Sequence, residues 1–514
     1  MHERASDDHR RSGPAHKAYD TLCAHMRQLM ALERVQELLT WDQETMMPAN
    51  GIAARAEHNA AVEAAAHRLR ADARMAEWIG MLTAEEAGLD PVARAILRES
   101  RRIHDRAIRI PESLASAIAR ATSHGQVVWA ASRRANRFAD FVPALAEIVE
   151  LKRNEARCLA EPDAGPDALY DALLDAFEPG ARGAELAALL GSLRPALTSL
   201  RERIAERVAM RGNAPDPAPI SEAAQLDLSR RLCAISGYEA STGRLDRSEH
   251  PFSLSFGPGD VRITTRVRRE APWECLYATM HELGHALYDL GIDPALAFTP
   301  AGRSASMGID ESQSRLWENQ IGRSRAFCGW LAPEIARRGG GPADPAALHA
   351  SVNRVAPGFI RTEANEVHYN LHILLRLDLE RALIAGDLEV AELETEWRRR
   401  FGREFGIEPP DAARGVLQDV HWSVGVFGYF PTYALGNIYG AAVATAMRRE
   451  LADLDDILAA GELAPARAWL REKVHRHGRL KTPTEIVQEA TGAAPSTAPL
   501  LDYLEEKYTQ LYEL

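Results

Sequence analysis

Met280-His281-Glu282-Leu283-Gly284-His285-Ala286 sets two imidazoles four residues apart, with a carboxylate beside the first. On a helix of about 3.6 residues per turn, His281 and His285 stand one above the other, so both reach a single metal ion. Glu282 lies about 100° round the same turn, too far round to chelate with the same geometry, and is placed to hold a water as general base. The flanks support a helix: Pro272 suits its first turn, Glu274 complements the positive end and Gly291 can close it. Between them Leu276, Met280, Leu283 and Leu287 recur at helical spacing and predict a buried stripe. The alternative, two ordinary part-buried histidines, leaves unexplained a carboxylate on an otherwise apolar face.

The 514 residues, 46% of them hydrophobic, suffice for a large buried core. With 61 basic against 73 acidic residues, the net charge of −12 argues against a general nucleic-acid or anionic-membrane surface. Residues 1–16 are polar, carry both signs and read as a disordered tail. No signal-peptide core and no run of eighteen uncharged apolar residues is present, so the expected location is cytoplasmic and no membrane partner is expected. Cys23, Cys158, Cys233, Cys275 and Cys328 are odd in number, scattered and without CxxC spacing, which fits reduced thiols and, at Cys275, helix packing.

Helical patterns run from residue 17 to about 210, interrupted at Trp41-Asp42-Gln43-Glu44-Thr45-Met46-Met47-Pro48 and turned at Glu178-Pro179-Gly180, after the helix holding Tyr170 and Leu173. Both interruptions read as caps and corners. The Pro-rich stretch 211–219 reads as an exposed connection, so residues 17–514 are expected to form one domain, with a helical part at 17–210 and a catalytic part at 211–514. Phe252, Leu254 and Phe256 alternate with serines. Gly257-Pro258-Gly259 then turns the chain, and Val261, Ile263, Thr265 and Val267 alternate with Asp260, Arg262, Thr264 and Arg266. That predicts a hairpin whose second strand offers Asp260, Arg262 and Thr264 on one face and an edge for pairing with a peptide backbone, or simply a half-solvated strand. Beyond residue 305 the pattern is helical to the C-terminus, broken at 338–342 and 408–411. The class is mainly α with a small sheet.

A catalytic zinc takes three protein ligands and keeps one position open. Glu311, thirty residues after His281, is the candidate third ligand, with Asp310 and Gln313 at capping-box spacing around it. Its alternative is a pair with Arg315 one turn on, a common surface arrangement.

These motifs together resemble the carboxypeptidase Taq family of metallocarboxypeptidases: His250-Pro251-Phe252, the Asp260/Arg262/Thr264 strand, the HExxH at 281–285 and Glu311-Ser312-Gln313. Ile360-Arg361-Thr362-Glu363-Ala364 and Gly415-Val416-Leu417-Gln418-Asp419-Val420-His421-Trp422 follow in order, and the similarity also takes in residues 41–48, 170–180 and 481–483. Asp310 and Asn365 depart from the pattern, where a histidine and an aspartate are usual.

The resemblance implies a large helical metallopeptidase fold with a deep cleft and the small sheet beside the HExxH helix, a homodimer, and Zn²⁺ as cofactor, Co²⁺ or Mn²⁺ being alternatives. It implies peptide substrates with a free C-terminus, from which single residues are released. Arg361 would bind the terminal carboxylate, its planar fork suiting bidentate capture, or pair on the surface with Glu363 and Glu366. His421 would support the transition state, and Tyr433, with Tyr429 as its alternative, would supply a hydroxyl to the oxyanion or substrate. The rivals are an oligopeptidase or dipeptidyl carboxypeptidase on a similar fold and a metal-stabilised binding protein without turnover. A purely structural metal would leave Glu282 and the open position without use.

Overall fold

The computed structural model describes residues 13–161, 165, 167–215 and 217–514. It is 71% helical with one three-stranded sheet, the mainly-α architecture expected. Of the proposed tail, residues 1–12 lie outside the described residues, as does Asp216 of the Pro-rich connection; Pro14 to His16 already belong to the first helix. Among the described residues no helix is long and apolar enough to cross a membrane.

The chain forms two compact units that are not successive halves. One takes the described residues up to Arg109, then Pro219–Ala305 and Gly461–Ala490; the other takes Ile110–Ala218, Ser306–Ala460 and Thr491–Leu514. One unit boundary falls at Ala218/Pro219, at the end of the Pro-rich stretch that follows residue 210, and the others fall at Arg109/Ile110, Ala305/Ser306, Ala460/Gly461 and Ala490/Thr491.

In the first unit the Pro14–Thr45 helix buries Leu22, Met26 and Leu29, at helical spacing, against Met75, Ile79 and Leu82 of the Ala73–Ala84 helix. The sheet holds β1 (Leu245–Arg247), β2 (Ser253–Gly257) and β3 (Asp260–Thr265) in the order β1-β3-β2. The expected hairpin forms, with Leu254 opposite Arg262 and Ser255 opposite Val261. β1 was not anticipated. It pairs parallel with β3, Leu245 opposite Ile263, and makes β3 the central strand. Strand addition onto β3 is thereby ruled out, because β1 and β2 take its backbone groups on both sides.

Next to β3 lies the Pro272–Gly291 helix, with Pro272 in its first turn and Leu276, Met280, Leu283 and Leu287 all buried as the spacing required. Thr279 Oγ1 contacts Thr265 Oγ1 of β3 at 3.1 Å and Ser229 Oγ of the Glu222–Ile235 helix at 3.0 Å, fixing the helix rotation. Gly291 does not act as a left-handed cap. A Cβ there would stand 2.6 Å from His475, so its role is clearance. All five cysteines are free thiols, and buried Cys275 packs against Ser229.

In the second unit the Glu366–Ala385 helix is buried on nearly every side, and the Phe430–Glu450 helix packs along Met307–Arg315. Gly436 and Gly440 permit that approach: Cβ atoms there would lie 2.5 Å from Glu311 Cγ and 3.0 Å from the Ser312 carbonyl. Residues 406–429, expected to continue the helical pattern after a turn, are irregular apart from one 3₁₀ turn at His421–Val424. Pro409-Pro410 and the positive φ of Gly406, Gly425 and Gly428 account for the break.

Candidate functional site

The helix places His281 and His285 side by side, their Nε2 atoms 3.3 Å apart. Two ligands at about 2.0–2.1 Å from a tetrahedral ion stand about 3.3 Å apart. The pair therefore has the spacing that one divalent ion requires. Glu282, only 6% exposed, lies between buried helix neighbours.

Asp260 receives both Nε and Nη2 of Arg262 at 2.8 Å, and that guanidinium lies 4.9 Å over the Trp41 ring and 4.6 Å over Phe256. Thr264 is fully buried, its hydroxyl held by Ser248 and the Phe252 amide, so it is unable to touch a substrate and instead braces the strand. Trp41, expected as part of a helix corner, is the platform under the strand's arginine.

In the second unit Glu311 lies on the Met307–Arg315 helix, whose cap is Ser306 and not Asp310: Ser306 Oγ accepts the Ile309 amide at 3.1 Å. That moves Glu311 out of the first turn. Its Oε1 receives Arg315 Nε at 2.7 Å and its Oε2 the Ser314 hydroxyl at 3.1 Å. The Arg315 pairing foreseen as a surface arrangement does form, but buried, and it orients the carboxylate. Burial works against the Arg315 charge, while Tyr369, Glu311 and Glu318 outweigh it and raise its pKa. Gly436→Ala is expected to drive a methyl into Glu311, lowering the melting temperature as overpacking does at about 1–3 kcal/mol. If Glu311 is a ligand, it also weakens metal affinity at least tenfold in a chelator competition; unchanged affinity would separate Glu311 from the metal.

Arg361 and Glu363 fall on a 3₁₀ turn, and Arg361 is 5% exposed. Its partner is Asp419, neither Glu363 nor Glu366: Nε and Nη2 both meet Asp419 Oδ1 at 3.0 Å, while Nη1 donates to the Tyr369 hydroxyl at 3.2 Å. Of five N–H bonds, these contacts leave one on each terminal nitrogen without a side-chain partner. Gln418 binds the Arg361 amide through Oε1 at 2.8 Å and the Phe359 carbonyl through Nε2 at 3.0 Å, zipping the two irregular stretches together. Asp419 also accepts from Arg376 Nε at 2.7 Å. Burial would raise the Asp419 pKa, but Arg376 and Arg361 outweigh it and hold it well below the usual carboxylate range.

His421 Nε2 stands 3.3 Å from the Tyr433 hydroxyl, and its ring lies 4.4 Å from Phe430. Burial, with help from Arg361 and Arg376 against Asp419, lowers its pKa to about 4, so the imidazole is neutral at pH 7. Tyr433 lies beneath the Arg361 guanidinium at 4.8 Å, and burial raises its pKa. Arg361, His421 and Tyr433 are thus brought together, and Tyr429 meets Phe177 and Tyr433 edge to face while its ring lies 5.8 Å from that of His421. Sequence reasoning assigned no role to Asp419, Arg376 or Tyr369; Asp419 and Arg376 pair across 43 positions, which no local pattern reveals.

Asn365 caps the Glu366–Ala385 helix, accepting the His368 amide at 3.2 Å while its own amide donates to the Ala356 carbonyl at 2.9 Å. Aspartate would cap equally well but could not donate. Asn365→Asp is therefore expected to lose about 1 kcal/mol in denaturant unfolding, with kcat/KM within threefold of the parent; equal or greater stability would remove the Ala356 bond from this account.

The family model of carboxypeptidase Taq (M32) metallopeptidases matches residues 21–508. Thermostable carboxypeptidase 1 of Thermus thermophilus is 39% identical over 504 residues, 96% of this chain and 99% of its own. The crystal structure of an M32 carboxypeptidase from Deinococcus radiodurans superposes with a TM-score of 0.90 at 33% identity, covering 97% of this chain and all of its own. Metallocarboxypeptidase 1 of Trypanosoma cruzi superposes with a TM-score of 0.92 at 33% identity, covering 96% and 99%.

Proposed function

The chain belongs to the carboxypeptidase Taq (M32) metallopeptidase family and is a metal-dependent carboxypeptidase, and on that premise we propose which of its residues do the work. His281, His285 and Glu311 hold the ion, which is zinc, with cobalt or manganese as alternatives according to supply. The observation that carries the two histidine ligands is the 3.3 Å spacing of their Nε2 atoms. Once bound, the metal polarises the scissile carbonyl and lowers the pKa of water.

Glu282 accepts the proton of the attacking water on its carboxylate and returns it to the leaving amine. Arg361 binds the substrate's terminal carboxylate with the N–H bonds that Asp419 and Tyr369 leave over, so the cut falls at the last peptide bond and releases one residue. The Asp419 pairing supports this role, because it fixes the guanidinium plane before substrate arrives. Neutral His421, with Tyr433 beside it, donates a hydrogen bond to the oxygen that becomes negative. Asp260 and Arg262 line the substrate's path by their side chains, while Thr264 holds their strand.

We further propose that residues 17–514 act as one catalytic domain, that two copies form a homodimer and that the enzyme works in the cytoplasm. The five free thiols accord with a reducing compartment. Exposed Val35, Leu38 and Ile52 on the first two helices offer apolar surface that association would cover. The test compares a peptide with its C-terminal amide, products being weighed by mass spectrometry. Single residues should leave the acid and almost none the amide; comparable cleavage of both would sink the Arg361 assignment, and released dipeptides the single-residue one.

A further inference from the structure

The segment from Tyr170 to Glu178, read in the sequence as a helix and its corner, is tied by buried hydrogen bonds to two elements that carry candidate site residues. Glu178, 3% exposed, accepts the Gly308 amide at 3.1 Å and so holds the start of the helix bearing Glu311. Tyr170 donates to Glu380 Oε2 at 2.9 Å. Glu380 is fully buried on the Glu366–Ala385 helix. Its Oε1 accepts the Trp422 indole N–H at 2.9 Å, and its Oε2 also accepts the Gly428 amide at 3.1 Å.

Those last two contacts bracket the loop that begins at His421 and ends just before Tyr429 and Tyr433. Gly428 has no room to shift, since a Cβ there would stand 2.8 Å from the Leu174 backbone, and its φ is +87°. Along the Glu366–Ala385 helix, Tyr369, Arg376 and Glu380 lie seven and four positions apart, within about 40° of one another round the axis. Tyr369 contacts Arg361, Arg376 contacts Asp419, and Glu380 holds the His421 loop. One helix face thus fixes both sides of the carboxylate and oxyanion groups.

We infer that Glu380 is the positioning residue for His421: by gripping Trp422 and Gly428 at once, its carboxylate sets where the imidazole stands relative to Tyr433 and Arg361. This rests on the proposed role of His421. Aspartate at 380 is one methylene short and unable to span both partners, while glutamine presents an amide hydrogen to at least one group that already donates. Trp422→Phe removes the indole donor but keeps the ring. Tyr170→Phe removes a donor that touches neither end of the loop.

With a short peptide substrate and the metal-loaded enzyme, Glu380→Asp, Glu380→Gln and Trp422→Phe are expected to lower kcat at least tenfold, with KM and metal affinity within threefold of the parent. Tyr170→Phe should keep kcat within threefold. His421→Ala, measured alongside, should cost at least as much kcat as any of them. If His421→Ala lowers kcat while Glu380→Asp and Trp422→Phe do not, the positioning role is overturned and the role of His421 stands. A KM that rises in step with the fall in kcat also overturns it, as does an equal loss in Tyr170→Phe. If His421→Ala leaves kcat unchanged, the role of His421 fails and this inference fails with it.

Discussion

Glu282→Gln is expected to lower kcat by about 10²- to 10⁴-fold, the range general-base catalysis contributes, with bound metal retained. The amide matches the carboxylate in size, so the buried position between Met280 and Leu283 stays filled and the helix does not repack. His281 and His285 keep their relation because Thr279 and the apolar stripe fix the helix rotation. What disappears is a group able to accept a proton. Elemental analysis beside steady-state kinetics separates the two outcomes: a variant within tenfold of the parent would give the base role to another group, and a variant without metal would make Glu282 part of the binding site.

Arg361→Ala is expected to lower kcat/KM for free peptides by about 10²-fold or more, since truncating one partner of a buried charged pair costs about 2–5 kcal/mol. Rates on C-terminal amides should change far less, so the preference of acid over amide collapses. Asp419 keeps Arg376, which spares the fold from a wholly unpaired buried carboxylate. Arg361→Lys preserves charge but not the planar fork, and should fall between parent and alanine variant. Both variants are measured on matched acid and amide peptides. An acid-to-amide ratio that survives in Arg361→Ala would move the carboxylate site elsewhere.

Local grammar accounts for what could be read in advance. The HExxH helix and the β2–β3 hairpin each follow from periodicity over fewer than twenty residues, and both are present. β1 escaped notice because Leu245-Asp246-Arg247 is too short to show alternation and its parallel partner lies eighteen positions on. Ser306 rather than Asp310 caps the next helix because the first turn starts earlier than the carboxylate spacing suggested. The roles proposed for Arg361, His421 and Tyr433 were legible only through family resemblance. Their supports Asp419, Arg376 and Glu380 make buried polar contacts between segments tens of residues apart, and one sequence carries no spacing rule for those.

The order in which the chain visits its two units bears on how the protein is made. The first unit lacks residues 461–490, and the second residues 491–514, until those segments have been made. A ribosome that has delivered Ala460 has therefore delivered neither unit whole. Both must wait: the Pro91–Arg109 helix packs against His475–Leu480, and the Leu193–Arg211 helix against Ala498–Tyr512, so each is made long before its partner. Long-range closure of this kind slows folding and exposes the nascent chain to aggregation, so chaperone engagement should persist until residues 461–514 have emerged.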